Sequence, residues 1–222
     1  MLEKELEEIL TREGASLVGF SNIEKSPVEG QDNLIFAVTI CYKLSDSILK
    51  TITDRPTIMY FQHYRAVNAK LDGIALTAVR FIENAGYNAF PIAASQSKPE
   101  DKYRGVFPHK TGAVLSGLGF IGKSGLLITK EYGSKVRFAT VLTDMPLTPL
   151  REIIKCGCGS CEICKNCCPA GAITGINYEA GMPRDAIFSA EKCSEYMKTF
   201  KDVGRGAVCG ICIKNCPFNK LK

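Results

Sequence analysis

The chain has no tryptophan, only two histidines, and no apolar run approaching the ~18 residues that a membrane span requires. A bilayer-crossing helix is therefore not expected, and no stripe of residues reads as a subunit interface. The first residues, Met-Leu-Glu-Lys-Glu-Leu-Glu-Glu, offer neither a basic n-region nor an apolar h-region. Nothing in them directs the chain to an oxidising compartment, so a disulfide framework is set aside despite eleven cysteines, and a cytoplasmic location is expected. A strong charge of one sign is also missing. The formal net charge is +5, with 17 Lys and Arg against 16 Asp and Glu in residues 1–150, and 11 against 7 in residues 151–222. The surplus sits in the last third, where the cysteines are.

There, Cys158-Gly-Ser-Cys161-Glu-Ile-Cys164-Lys-Asn-Cys167-Cys168-Pro169 is answered by Cys209-Gly-Ile-Cys212-Ile-Lys-Asn-Cys216-Pro217. This is the C-x2-C-x2-C-x3-C-P spacing of bacterial two-cluster ferredoxins, in which three closely spaced thiolates wrap one iron–sulfur cube. The fourth, turned away by the following proline, reaches the neighbouring cube. The second repeat lacks its leading cysteine, because Gly206 stands there. Cys193, between the repeats, is the expected substitute. The expected ligand sets are Cys158, Cys161, Cys164 and Cys216 for one [4Fe-4S] cluster, and Cys168, Cys193, Cys209 and Cys212 for the other. Structural zinc would be satisfied by any two CxxC pairs and needs no Cys-Pro, so two Cys-Pro endings at matched offsets argue against it. Each cluster with four thiolates carries a net charge of about −2, which cancels most of the basic surplus, and a nucleic-acid partner is not expected. Cys41 reads as a buried small side chain; Cys156 and Cys167 receive no role.

Along the rest of the chain, residues 2–13 read as an amphipathic helix stopped by Gly14. Ala15–Phe20 and Leu34–Cys41 read as buried strands, and Ser45–Thr51 as a short helix. Pro56 opens a long helix to Gly86 in which Val67, Leu71, Ile74, Ala78 and Ile82 recur at helical spacing and should lie across a sheet. Tyr87–Ala93 reads as a strand, Ser95–Phe107 as a polar loop, and His109–Leu115 as a short helix. Leu126–Thr129 and Val136–Thr143 read as strands joined at Tyr132-Gly133. The expected organisation is α+β: a 1–150 α/β cofactor-binding domain, a boundary near Pro146–Arg151, and a 151–222 two-cluster domain whose metal supplies much of its folding free energy.

Gly117-Leu-Gly-Phe-Ile-Gly122-Lys123-Ser124 satisfies both G-x-G-x-x-G and the P-loop pattern G-x4-G-K-S. A P-loop must lead from a strand into a helix, yet Gly125-Leu-Leu-Ile-Thr follows and reads as a strand. A dinucleotide site fails similarly, since Asp144 follows another strand rather than the expected helix. Two readings remain: a glycine turn that lets backbone pass close to a neighbour, and a close approach of a large cofactor.

Gly-Leu-Gly-Phe-Ile-Gly-Lys, Leu-Leu-Ile-Thr, Glu131-Tyr-Gly, Leu142-Thr-Asp144 and the paired cysteine motifs, in this order, resemble the epoxyqueuosine reductase family, which is related to the corrinoid-containing reductive dehalogenases. The resemblance covers roughly residues 33–220. It implies a nitroreductase-related cobalamin-binding domain, a ferredoxin-like module with two [4Fe-4S] clusters paired as above, and cobalamin at their junction. Thr111, Gly117, Gly119, Gly122, Lys123 and Ser124 become the candidate cofactor-binding positions. Two departures stand out. Where the family carries a proton-donating Asp, this chain has Phe107-Pro108-His109-Lys110-Thr111; and the family's helical-repeat region that helps hold tRNA does not follow Lys222, so a tRNA substrate is not carried over. His109, with a near-neutral unperturbed pKa, is the first candidate proton donor, although a lone histidine also serves as a structural hydrogen-bonder; Lys110 and Tyr103 are alternatives. His63 reads as packing. The implied activity is an iron–sulfur oxidoreductase that draws on a low-potential donor such as a ferredoxin or flavodoxin. It passes electrons to a bound corrinoid, which reduces a small or nucleoside-like substrate. The alternative is a non-catalytic electron carrier or reductive activator of a partner protein.

Overall fold

The computed structural model describes residues 2–220 apart from 27, 99, 102, 150 and 205–207; Gly206 and Lys222 lie outside the described residues. The chain folds as two compact units, each assembled from three stretches. One takes Met1–Lys43, Val67–Leu118 and Arg137–Ile154; the other takes Leu44–Ala66, Gly119–Val136 and Lys155–Lys222. All the motif cysteines fall in the second unit, which also recruits 44–66 and 119–136 from the span expected to form the first domain.

In the first unit, helix α1 (Leu2–Arg12) buries Leu6 and Leu10 and shows its acidic face to solvent. Gly14, at φ 104°, closes it: the Ala15 amide donates back to the Leu10 carbonyl at 2.9 Å, the left-handed stop that glycine permits. That closure uses Ala15, so strand β1 begins later than expected, at Leu17–Asn22. Strand β2 (Phe36–Lys43) is likewise shifted, because the Leu34 amide is taken by a turn to the Gln31 carbonyl. β1 and β2 pair antiparallel, from Leu17 opposite Cys41 to Asn22 opposite Phe36.

Helix α3 (Ile58–Asn84) follows a short helix α2 (Asp46–Lys50). Its residues from Val67 onward belong to the first unit, and Val67, Leu71, Ile74, Ala78 and Ile82 are all buried there. Each of the Val, Leu and Ile side chains among them contributes about 1.5–3 kcal/mol relative to exposure. Strand β3 (Ala89–Ile92) pairs antiparallel with β6 (Val136–Thr143), and the sheet order is β1-β2-β6-β3. Asn68 of α3 accepts from the Arg137 guanidinium of β6 at 3.1 Å, and Asp72 accepts from the Ala94 amide at 2.8 Å. Helix α4 (His109–Leu115) lies against β1 and β2. The approach is close enough that a Cβ on Gly19 would stand 2.4 Å from the Ser116 hydroxyl, and one on Gly112 2.5 Å from that of Thr39. A core of Ile23, Val28, Leu34, Ala37, Ile92, Phe107 and Leu142 fills the unit near the β3 edge.

In the second unit, strands β4 (Gly119–Ile121) and β5 (Leu127–Thr129) form an antiparallel hairpin. β5 and β6 were expected as strands joined at Tyr132-Gly133. The turn is present, with Thr129 bridged to Gly133, but the two strands belong to different sheets. Short helices α5 (Ile163–Asn166), α6 (Ala190–Lys198) and α7 (Ile211–Lys214) complete the unit. Lys135 donates to Asp46 at 2.6 Å, both largely removed from solvent. Buried Asn219 accepts from the Ser134 amide at 2.8 Å and donates to the Ile213 carbonyl. Among the described residues no helix is long and apolar enough to cross a membrane.

Candidate metal centre and cofactor site

The first cysteine repeat is shaped by tight turns. The Cys161 amide bonds to the Cys158 carbonyl at 3.0 Å across Gly159, whose φ is 52°; α5 carries Cys164, and the Cys168 amide closes onto the Lys165 carbonyl at 3.3 Å. The second repeat copies it. Gly210, at φ 75°, opens α7, which carries Cys212, and Cys216 follows in extended conformation (φ −68°, ψ 122°). Pro217 enforces that extension, because its ring disfavours helical backbone in the preceding residue. Gly210 has no alternative: a Cβ there would meet Tyr60 at 2.6 Å.

The outcome is convergence across repeats. Cys158, Cys161 and Cys164 line one small cavity together with Cys216, and Lys123, Ser124, Ile128, Pro217 and Phe218 complete its wall. Burial pushes the Cys158 thiol up to about 11, the Lys123 amide opposes, and neighbouring Cys156 and Cys164 add to the rise. A second group gathers around Cys212, which burial and then Cys209, Cys193 and Cys168 hold well above the usual thiol range. Cys193 itself is pushed up to about 11, first by burial and then by Cys209 and Cys168. These thiols resist ionisation in one another's presence, and a bound metal core reverses that preference because a coordinating thiol is deprotonated outright. Among the described residues no three His, Cys, Asp or Glu side chains converge tightly enough for a single metal ion. No disulfide joins any of the eleven cysteines.

Cys41 is fully buried at the end of β2. Cys167 donates to the Cys164 carbonyl at 3.6 Å, and its charge is felt by Cys164 as well as by Cys209 and Cys212. Cys156 points to the Asn177 amide oxygen at 3.7 Å and touches Cys158.

The candidate cofactor positions divide. Gly122, Lys123 and Ser124 stand at the first thiol set: Lys123 and Ser124 line its cavity, and a Cβ on Gly122 would lie 3.3 Å from the Cys158 sulfur. Gly119 lies in β4, where a Cβ would be 2.2 Å from the Ile128 carbonyl oxygen, and at Gly117, whose φ is 68°, a Cβ would be 2.5 Å from the Glu152 carbonyl oxygen. The glycine run is thus a hairpin strand held against its own chain, and its G-K-S segment turns into β5 rather than into a helix. Thr111 sits in the first turn of α4, its amide bonded to the Pro108 carbonyl at 2.7 Å.

The candidate proton donors all lie in the first unit. His109 opens α4 with both ring nitrogens engaged, Nε2 with the Ala93 carbonyl at 3.0 Å and Nδ1 with the Thr140 hydroxyl at 2.8 Å. A carbonyl only accepts, so Nε2 carries the proton and Nδ1 accepts from Thr140. Burial pushes the imidazole down to about 4; the Ala93 bond opposes, and Arg137 and Lys110 add to the fall. The ring has no spare N–H to offer a substrate. Lys110 is the next residue of α4, and Tyr103 stands in the preceding loop with its amide bonded to Asp101 at 3.0 Å. His63 accepts from the Ser45 amide at 3.0 Å, a structural role. A larger groove of about 370 Å³ in the first unit, walled by Asp32, Asn33, Glu83, Tyr87 and Asn88, contains none of these residues.

Ser134 was not foreseen. Its hydroxyl and its amide both donate to the buried Asn219 side-chain oxygen, at 3.1 and 2.8 Å, and nothing in its sequence neighbourhood distinguishes it from an ordinary turn serine.

The fold places the chain among proteins built like the reductive dehalogenases. A solved reductive dehalogenase, described as suggesting a mechanism for B12-dependent dehalogenation, superposes with a TM-score of 0.75 at 22% identity, over 97% of this chain and 31% of that one. In sequence, the chain is similar to an epoxyqueuosine reductase of Lactococcus garvieae, 34% identical over 120 residues (49% of this chain, 31% of the relative). It is also similar to a tetrachloroethene reductive dehalogenase of Sulfurospirillum multivorans, 33% identical over 147 residues (64% of this chain, 27% of the relative). The chain therefore spans about 30% of the length of these relatives. No family model matches it.

Proposed function

We propose that this chain is an iron–sulfur oxidoreductase holding two [4Fe-4S] clusters, one on Cys158, Cys161, Cys164 and Cys216, the other on Cys168, Cys193, Cys209 and Cys212. The observation that carries the proposal is the cavity walled by three thiols of one repeat and the Cys-Pro thiol of the other, the exchange that the two-cluster spacing requires. All-thiolate donors select iron–sulfur chemistry or zinc, and the two Cys-Pro endings at matched offsets favour the former. When bound, the clusters supply one-electron transfer at low potential. The chain's own residues hold the sulfurs, donate amides to them and exclude water: Phe120 and Phe218 stack edge-to-face at 5.6 Å beside the first set.

The likeness to a relative named for B12-dependent chemistry supports a corrinoid as the electron acceptor; to this the proposal adds a small or nucleoside-like substrate and a ferredoxin or flavodoxin as donor. The glycine positions offer it no cradle, however, since Gly117 and Gly119 are filled by the chain's own carbonyls and Gly122, Lys123 and Ser124 face the thiols. That observation favours the second reading, an electron carrier or reductive activator of a partner protein.

Anaerobic reconstitution decides between them. About eight irons per chain with stoichiometric cobalamin uptake and a changed visible spectrum is the outcome for the corrinoid reductase. Eight irons without uptake assigns the carrier, and one or two zincs in place of iron refutes both.

A further inference from the structure

Cys193 is the expected ligand that stands outside both cysteine repeats, and the helix that carries it has no apolar anchor. α6 buries none of its nine residues, and a helix that short is marginal in water unless other parts of the chain hold it. What holds it lies at its two ends.

At the start, Ser189 caps the helix, accepting from the Lys192 amide at 3.3 Å, and the Ser189 amide donates to the Ala172 carbonyl at 2.8 Å. The Ala172 amide donates in turn to the Cys168 sulfur at 3.4 Å. Two hydrogen bonds thus tie the start of α6 to a thiol of the same expected set. Beyond its end, the chain is gripped by residues 54–61. The Tyr196 hydroxyl donates to the Asp54 carbonyl at 3.2 Å. The Arg55 guanidinium lies 4.9 Å from the centre of the Phe200 ring and donates to the Asp202 carboxylate at 2.5 Å. Phe200 meets Tyr196 edge-on at 5.0 Å, and a Cβ on Gly204 would stand 2.9 Å from the Phe61 ring.

The same segment also touches the second repeat. A Cβ on Gly210, between Cys209 and Cys212, would lie 2.7 Å from Ile52 and 2.6 Å from Tyr60, both of them buried. Arg55 stands between buried Ile52 and buried Pro56, which anchor the turn it projects from. All of these residues belong to the second unit. One short stretch therefore sets the spacing between α6 and the Cys209–Cys212 turn.

We propose that Arg55 is a positioning residue for the centre at Cys168, Cys193, Cys209 and Cys212. It touches no sulfur; through Phe200 and Asp202 it holds α6 where Cys193 can replace the leading cysteine that the second repeat lacks. This rests on the two-cluster reading above. Because the ion pair is half-exposed, it and the ring contact together account for about a tenfold bias toward the docked helix.

The test uses the anaerobically reconstituted full chain, challenged with the ferrous chelator bathophenanthroline disulfonate and read by iron release and by electron paramagnetic resonance after reduction. In Arg55→Gln, about four of the eight irons should leave about tenfold faster than in the wild type. The spectrum left behind should match that of Cys193→Ala, the first centre alone. Arg55→Lys, which keeps a cation at the ring and the carboxylate, should restore the wild-type rate. Asp202→Asn removes the ion pair and leaves the ring contact, so it should show the same selectivity with a smaller change; it carries the test if Arg55→Gln holds no iron. Unchanged release, equal acceleration at both centres, or no rescue by lysine overturns the assignment. A wild-type chain that takes up no iron refutes the two-cluster reading instead, and iron content alone reveals that.

Discussion

His109 gives a measurable pH dependence of stability. Its native pKa of about 4 lies below the ordinary 6.5, so the native state binds fewer protons than the unfolded chain below neutrality. Its contribution is therefore complete above pH 6.5 and is lost as the pH falls toward 4. Integrating the linkage relation from pH 8 to 5.5 gives a loss of about 1.4 kcal/mol, rising to about 3 kcal/mol below pH 4. The cause is structural: burial disfavours the charged ring, Arg137 and Lys110 add to that, and protonating Nδ1 would destroy its ability to accept from Thr140. Two measurements check this. The chain has only two histidines, so proton NMR resolves both imidazoles, and the His109 signal should stay neutral down to about pH 4. Anaerobic urea unfolding at pH 8 and 5.5 should show the His109→Gln variant less stable at pH 8 but without the additional loss of about 1.4 kcal/mol. A His109 signal titrating near 6.5, or a variant that keeps the wild-type pH dependence, would refute the reasoning and reopen the ring as a proton donor.

The cluster assignment makes two further predictions. Cys193→Ala should lower iron content from about eight to about four per chain, because Cys193 belongs to the Cys168, Cys209 and Cys212 group alone; retention of all the iron would show the ligand pairing to be wrong. Cys167→Ser should keep both clusters, since its thiol is committed to the Cys164 carbonyl; loss of iron in this variant would make Cys167 a ligand in place of Cys168.

Elements set by local chemistry could be read directly from the sequence. The long helix followed from Pro56, Gly86 and the apolar spacing between them, and the meeting of Cys216 with the first repeat from a Cys-Pro offset. What depends on distant pairing could not be read. The place of β6 between β2 and β3 is decided by contacts dozens of residues apart, and the shifted starts of β1 and β2 come from backbone amides already used in turns. The glycine run looked like a loop because three glycines suggest one. It forms a strand because only glycine lets β4 come so close to the Ile128 carbonyl. Ser134 was invisible for the same reason, since its partner Asn219 lies 85 residues away.

The patchwork origin of the cysteine-bearing unit bears on how this chain can be cut or grafted. A fragment starting at residue 155 would carry every motif sulfur yet leave behind the β4–β5 hairpin, Lys123, Ser134 and the Lys135–Asp46 pair. Such a fragment is a list of ligands without its container. Transplanting the cysteine-bearing unit into another protein therefore means moving three separate stretches of chain, and domain-shuffling experiments should be designed around that seam.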